Sequence, residues 1–130
     1  MYVLPDLHDG FFDGLCLSDD KRAHLFVRTV TGERSTFALK GVDALNFNHL
    51  KAGNIIFDVV LSSPNDLTDS AVTEAYEPAT SHELENLSKR AKQQGLHLLT
   101  FNPSYGAQGV VLFRSMEVVP GHVLPTAVAE

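Results

Sequence analysis

Apolar residues recur with a period of two through the first half of the chain, the spacing at which strand side chains fall on alternate faces. Residues 11–17 form a short apolar run between Asp9-Gly10 and Ser18-Asp19-Asp20, which predicts a strand set between turns. Over residues 23–30, Ala23, Leu25, Val27 and Thr29 alternate with His24, Phe26, Arg28 and Val30. Arg34–Lys40 alternates again, with Phe37 and Leu39 on one face. Thr31-Gly32 separates the two runs, and glycine supplies the positive φ that a tight hairpin requires, so they are expected to pair antiparallel.

Residues 41–48 fit either a bent strand with a bulge or a loop that plugs a sheet edge. A turn at 52–54 leads into residues 55–61, where Ile55, Phe57, Val59 and Leu61 form one face and Ile56, Asp58 and Val60 the other. Apolar residues on both faces predict a central strand covered on each side. Between 62 and 79 the periodicity stops at Pro64, Asn65, Asp66, Asp69 and Pro78. This predicts a long connection with room for one short strand over 71–76, and connections of that length are often functional.

One helix is predicted, beginning at Thr80. Thr80 and Glu83 have capping-box spacing, and Leu84, Leu87 and Ala91 fall on one face. Glu85 and Lys89 are four residues apart, basic residues gather near the far end, and Gly95 is a natural stop. The narrow apolar stripe places this helix on the outside of the protein. Two further strands, 96–101 and 110–119, flank a structured loop over 102–109. The tail 120–130 has no clear period and either frays or lies along an edge. The expected fold is one α+β, mostly β domain over residues 1–130. It is an antiparallel sheet or β-sandwich of about six to seven strands, with one late α-helix packed outside.

Composition sharpens the functional side. With 130 residues, 44% hydrophobic and 20% charged, the chain can bury a core without disulfides or a structural metal. Sixteen acids against ten bases give a net charge of −6, which disfavours nucleic acid and anionic membrane as partners. The charge is uneven. Residues 41–88 hold Asp43, Asp58, Asp66, Asp69, Glu74, Glu77, Glu83 and Glu85 against Lys51 alone. Asp66, Asp69, Glu74 and Glu77 therefore form a candidate docking surface for a basic protein, beside the plainer reading of a solvated acidic loop. The single cysteine, Cys16, sits between Leu15 and Leu17 and is expected to be a buried, inert thiol. The N-terminus lacks the basic start and apolar stretch of a signal peptide, so a reduced, cytoplasmic setting is expected.

The six histidines are scattered without metal-ligand spacing, and no metal or cofactor is expected. His8 beside Asp9 is the most suggestive pair for acid–base chemistry, although Asp9-Gly10 is also an ordinary turn before a strand. His97, between Leu96 and Leu98, is expected to point away from them, toward solvent or a hydrogen-bonding partner. Tyr105 is a candidate for stacking a ligand or anchoring a partner, against the commoner role of packing on the sheet. No nucleophile elbow or phosphate-binding loop is present.

His8-Asp9-Gly10 before a strand, the hairpin, residues 53–59 (Gly-Asn-Ile-Ile-Phe-Asp-Val) and residues 102–107 (Asn-Pro-Ser-Tyr-Gly-Ala) together resemble small bacterial β-rich domains. Some of these are similar to immunity proteins of polymorphic toxin systems. The resemblance implies a cytoplasmic, noncatalytic binding protein whose partner is a toxin domain. Two other readings stand beside it: a small metal-dependent or hydrolytic enzyme centred on His8 and Asp9, and a small-ligand carrier with a cleft near Tyr105.

Overall fold

The computed structural model describes residues 2–125. Eight strands form one antiparallel sheet: β1 (Phe11–Ser18), β2 (Arg22–Arg28), β3 (Arg34–Lys40), β4 (Ala44–Asn48), β5 (Ile55–Ser62), β6 (His97–Tyr105), β7 (Gln108–Phe113) and β8 (Ser115–Pro120). Their order across the sheet is β4-β7-β6-β5-β1-β2-β3-β8. Two helices, α1 (Asp69–Tyr76) and α2 (Ser81–Gln93), lie between β5 and β6 in sequence.

This order forces the sheet to coil. β7 is second and β8 eighth, which in a flat sheet would put them roughly 29 Å apart at ~4.8 Å per strand. Arg114 alone joins them, and its two Cα steps span at most about 7 Å. The Arg114 amide donates to the Lys40 carbonyl (3.0 Å) and the Asp43 amide to the Leu112 carbonyl (2.9 Å), so the two ends of the sheet meet at one corner. The expected single strand over 110–119 is thus two strands, broken at this corner. Inside the coil, Phe12, Leu25, Phe37, Leu39, Ile56, Phe101, Phe113 and Met116 make one buried core with Phe47 of β4 against it. Every strand contributes, and each fully buried side chain of this size stabilises the fold by about 1.5–3 kcal/mol.

The hairpin between β2 and β3 forms as the alternation predicts. Gly32 has φ 95°, and the Thr29 amide donates to the Glu33 carbonyl at 2.8 Å. Residues 41–48 resolve as a short corner followed by the edge strand β4. The chain after β8 turns across the outer face of β2 and β3. There the buried Thr36 hydroxyl donates to the Gly121 carbonyl (2.7 Å) and accepts the Val123 amide (2.9 Å), while His24 Nδ1 donates to the Val123 carbonyl (2.7 Å). Residues 126–130 of the expected tail lie outside the described residues.

A second apolar cluster joins the helices to the outer face of β6 and β7: Leu67, Ala75, Ala91, Leu96, Leu98, Val110 and Leu112. α2 starts at Thr80, whose hydroxyl accepts the Glu83 amide at 3.1 Å; the Glu83 carboxylate reaches one residue further back, to the Ala79 amide at 3.0 Å. Only Ala91 of α2 is fully buried, as suits an outer helix. Thr80→Ala is expected to lower stability by about 1 kcal/mol, read as a reduced urea midpoint at unchanged slope.

α1 replaces the irregular connection and short strand expected over 62–79. Thr68 caps it by accepting the Ala71 amide at 3.1 Å, Val72 and Ala75 are buried, and Glu77 ends it with φ 51°. The helix layer is tied to the closing corner by Asp43, which accepts the Tyr76 hydroxyl and an Arg90 N–H (2.8 Å). Burial, then the Asp43 carboxylate, pushes the Tyr76 hydroxyl up to about 12.

Candidate binding surface

The helices cover β6 and β7 and leave the outer face of β5 bare. Which side chains occupy that face is decided by a bulge. The register with β6 shifts on either side of Ile56, so that Ile56 faces Pro103 while Asp58 already faces Asn102. Phe57 is the inserted residue, and the alternation changes parity there. Ile56, Val59 and Leu61 turn to the core, whereas Ile55 (36% exposed), Phe57 (53%) and Val60 (44%) turn to solvent. The strand is central in the sheet, as expected, but it is not covered on both faces. That position belongs to β7, whose Gly109-Val110-Val111-Leu112-Phe113 run is buried throughout.

Tyr105 pairs with Ile55 across the β5–β6 ladder and is 55% exposed. Phe11 pairs with Ile55 from the other side, its ring under the Arg28 guanidinium at 4.3 Å. Arg28 in turn makes two bonds to Asp13 (2.8 and 3.1 Å), which neutralise its charge. Asp58 Oδ1 accepts Asn102 Nδ2 at 2.7 Å. The result is an apolar strip with acids at its margin.

His8 and Asp9 sit on that margin. His8 packs edge-on against Phe57 (5.4 Å between ring centroids), and its Nδ1 donates to the Phe57 carbonyl at 2.8 Å. Its Nε2 is 3.5 Å from Asp9, so the structure brings the expected pair together on open surface. Asp9 itself has φ 60° and donates its amide to the Ile56 carbonyl, which makes it part of the turn that docks β1 on β5. One ring nitrogen of His8 is therefore committed to holding Phe57. The Phe57 carbonyl first, then Asp9, Asp6 and Asp58, hold the His8 pKa above the ordinary 6.5. A raised pKa contributes stability that is present below the unfolded value and is lost as pH rises through the folded one. A proton NMR titration is expected to give a His8 midpoint above 6.5 that moves down in Asp9→Asn; a midpoint unmoved by that substitution would remove Asp9 from the explanation.

The four candidate acids do not form one surface. Asp66 ends a 3₁₀ turn and accepts the Ser63 hydroxyl (2.9 Å), and Asp69 opens α1 and accepts the Ser88 hydroxyl (3.1 Å). Glu74 and Glu77 lie near the other end of α1, beside β4 and β7, where they accept from Gln108 (3.4 Å) and Asn46 (3.2 Å). Asp69, Glu74 and Glu77 belong to the helix layer, whereas Asp66 lies on the turn before it, beside Leu61 and Ser63.

Three other expectations change. Cys16 is half-buried rather than buried, and it stands opposite His24 on the outer side of the β1–β2 ladder. His97 does point away from Leu96 and Leu98, but that direction is the inside of the coil, where the ring sits 5.8 Å from Phe113 and 5.5 Å from Tyr2. The loop over 102–109 is mostly strand, with the β6–β7 turn at Gly106. Sequence reasoning missed Ile55, Phe57 and Val60 as surface residues, although the doubled apolar pattern that marked them was the available signal. Among the described residues, no cluster of three or more His, Cys, Asp or Glu is placed to hold a metal ion, and no helix is long and apolar enough to cross a membrane. No protein-family model, curated protein or solved structure matches this chain.

Proposed function

We propose that this protein is a noncatalytic binding module of the immunity type, and that it docks a basic protein partner on the outer face of β5. The observation that carries this reading is the apolar strip Ile55, Phe57, Val60 and Tyr105, left uncovered in a sheet whose neighbouring outer surface is packed under helices. Contiguous exposed apolar residues with a polar rim mark interaction surfaces, and aromatic side chains dominate the energy of such interfaces. The rim chemistry selects the partner. Asp6, Asp9 and Asp58 surround His8, and Arg28, which lies over Phe11, is held by Asp13. A basic protein complements this margin, and the net charge of −6 steers it in from a distance. Asp66, Asp69, Glu74 and Glu77 contribute to that long-range field from the helix layer and the turn before it.

The test compares three immobilised proteins against proteins of the host: wild type, a Phe57→Ser/Tyr105→Ser variant, and one with Asp66, Asp69, Glu74 and Glu77 replaced by Asn or Gln. Both substituted aromatic side chains are more than half exposed, so the first variant is expected to remain folded, with stability changed by about 0.5 kcal/mol per site. A basic protein should be retained by wild type and weakened tenfold or more by the aromatic variant. With the purified partner, the quadruple variant should lower the on-rate and its salt dependence while leaving the off-rate unchanged. Equal retention by wild type and the aromatic variant would overturn the proposal. So would a wild-type homodimer that the aromatic substitutions dissociate, because the strip would then belong to a second copy.

A further inference from the structure

β1 and β5 overlap at a single pair, Phe11 and Ile55, and being antiparallel they run on from it in opposite directions. The flank of β5 beyond Phe57 is thus left to the N-terminal residues, of which Leu7 is buried and Tyr2 and Leu4 pack against the core. They fill the gap incompletely. A cavity of about 690 Å³ remains between Tyr2, Leu4, Leu61, Ser63, Asp66 and His97, within the 300–1,000 Å³ usual for small-molecule sites.

The walls are fixed before any ligand arrives. The Tyr2 hydroxyl accepts the Met116 amide at 3.2 Å, and its ring meets His97 edge-on. His97 is held from behind by Phe113. Its orientation therefore rests on ring packing, and among the described residues neither of its ring nitrogens has a hydrogen-bond partner. The imidazole is half-buried, and its ring nitrogens are open to a group in the cavity. Asp66 supplies the second polar element, its carboxylate turned by the Ser63 hydroxyl at 2.9 Å. Among the described residues, no Lys or Arg lines the cavity. An anionic ligand would face the Asp66 carboxylate, whereas an ammonium would meet it and donate to a His97 ring nitrogen.

We propose that this cavity binds a small amphipathic amine, with its apolar body against Tyr2, Leu4 and Leu61 and its ammonium toward Asp66 and His97. The site is separate from the docking strip, lying at the far end of β5, where the inside of the sheet opens to solvent at the exposed Ser63 and Asp66.

Three probes of one shape and different charge test it: 2-phenylethylamine, 2-phenylethanol and phenylacetate, titrated into the ¹⁵N-labelled protein at neutral pH. The amine should shift the Leu61, Ser63 and His97 amides saturably, the alcohol should bind at least tenfold more weakly, and phenylacetate should leave these signals unmoved. Asp66→Asn should weaken the amine tenfold or more without affecting the alcohol. His97→Phe, which keeps the ring packing, should also weaken the amine. Asp69→Asn, outside the cavity, should leave amine binding as in wild type. Equal binding of the three probes, an undiminished amine affinity in Asp66→Asn, shifts confined to other residues, or no binding by any probe would each overturn the proposal.

Discussion

Replacing Phe101 by alanine is expected to lower the unfolding free energy by about 3–5 kcal/mol, a large share of the 5–15 kcal/mol typical of a domain. The ring is almost completely buried and touches the aromatic side chains of three other strands: Phe12 (5.3 Å between centroids), Phe47 (5.6 Å) and Phe37 (6.3 Å). These come from β1, β4 and β3, the fifth, first and seventh strands of the order, so the ring fills the space the sheet closes around. Truncation leaves a void that the three surrounding strands cannot collapse into without losing their ladders. Urea denaturation should show the lower midpoint at an unchanged slope. A loss below about 1 kcal/mol would mean that the sheet does not close on this ring.

Asn54→Ala is expected to cost about 3 kcal/mol, although it removes only a small polar group. Asn54 is buried, and its amide serves three segments at once. Its Oδ1 accepts the Lys51 and Ala107 amides (2.8 and 2.9 Å), and its Nδ2 donates to the Lys51 and Phe12 carbonyls (3.0 and 3.3 Å). Losing the side chain strands two backbone N–H donors, the Ala107 one fully buried, and each unsatisfied buried group costs about 1–3 kcal/mol. The site is shaped for this amide: Gly106 has φ 89°, and a Cβ on it would collide with Asn54 Oδ1. Thermal unfolding should fall by roughly 10 °C. A shift of only a degree or two would show that water replaces the amide without loss.

Features set by neighbours in sequence were legible beforehand, and those set by partners distant in sequence were not. The β2–β3 hairpin follows from alternation around Gly32, and the start of α2 follows from Thr80 and Glu83. α1 escaped because two turns give a period of 3.6 only one repeat, and Thr68, Val72, Ala75 and Pro78 read as scattered residues. The split at Arg114 escaped because Val110 to Val119 continues apolar on both sides of it; only the pairing of β8 with β3 shows the change of partner. Strict alternation groups Phe57 with Val59 and Leu61 on one covered face, because an inserted residue leaves no mark on composition. His97 was placed correctly relative to its neighbours, but the sequence carried no sign that the face opposite Leu96 and Leu98 was the interior. The excess of acids is legible in the sequence; the uncovered strip on β5 is not, because it depends on where the helices settle.

The most direct measurement is a methyl cross-saturation experiment on the complex with the proposed basic partner. The protein is perdeuterated and methyl-labelled at isoleucine, leucine, valine and alanine, and the partner's protons are irradiated. Saturation is expected at the Ile55 and Val60 methyls and to be weak at Ala71 and Leu84 of the helix layer. Saturation concentrated at Ala71 and Leu84, with Ile55 and Val60 unaffected, would contradict docking on β5 and assign the interface to the acidic helices.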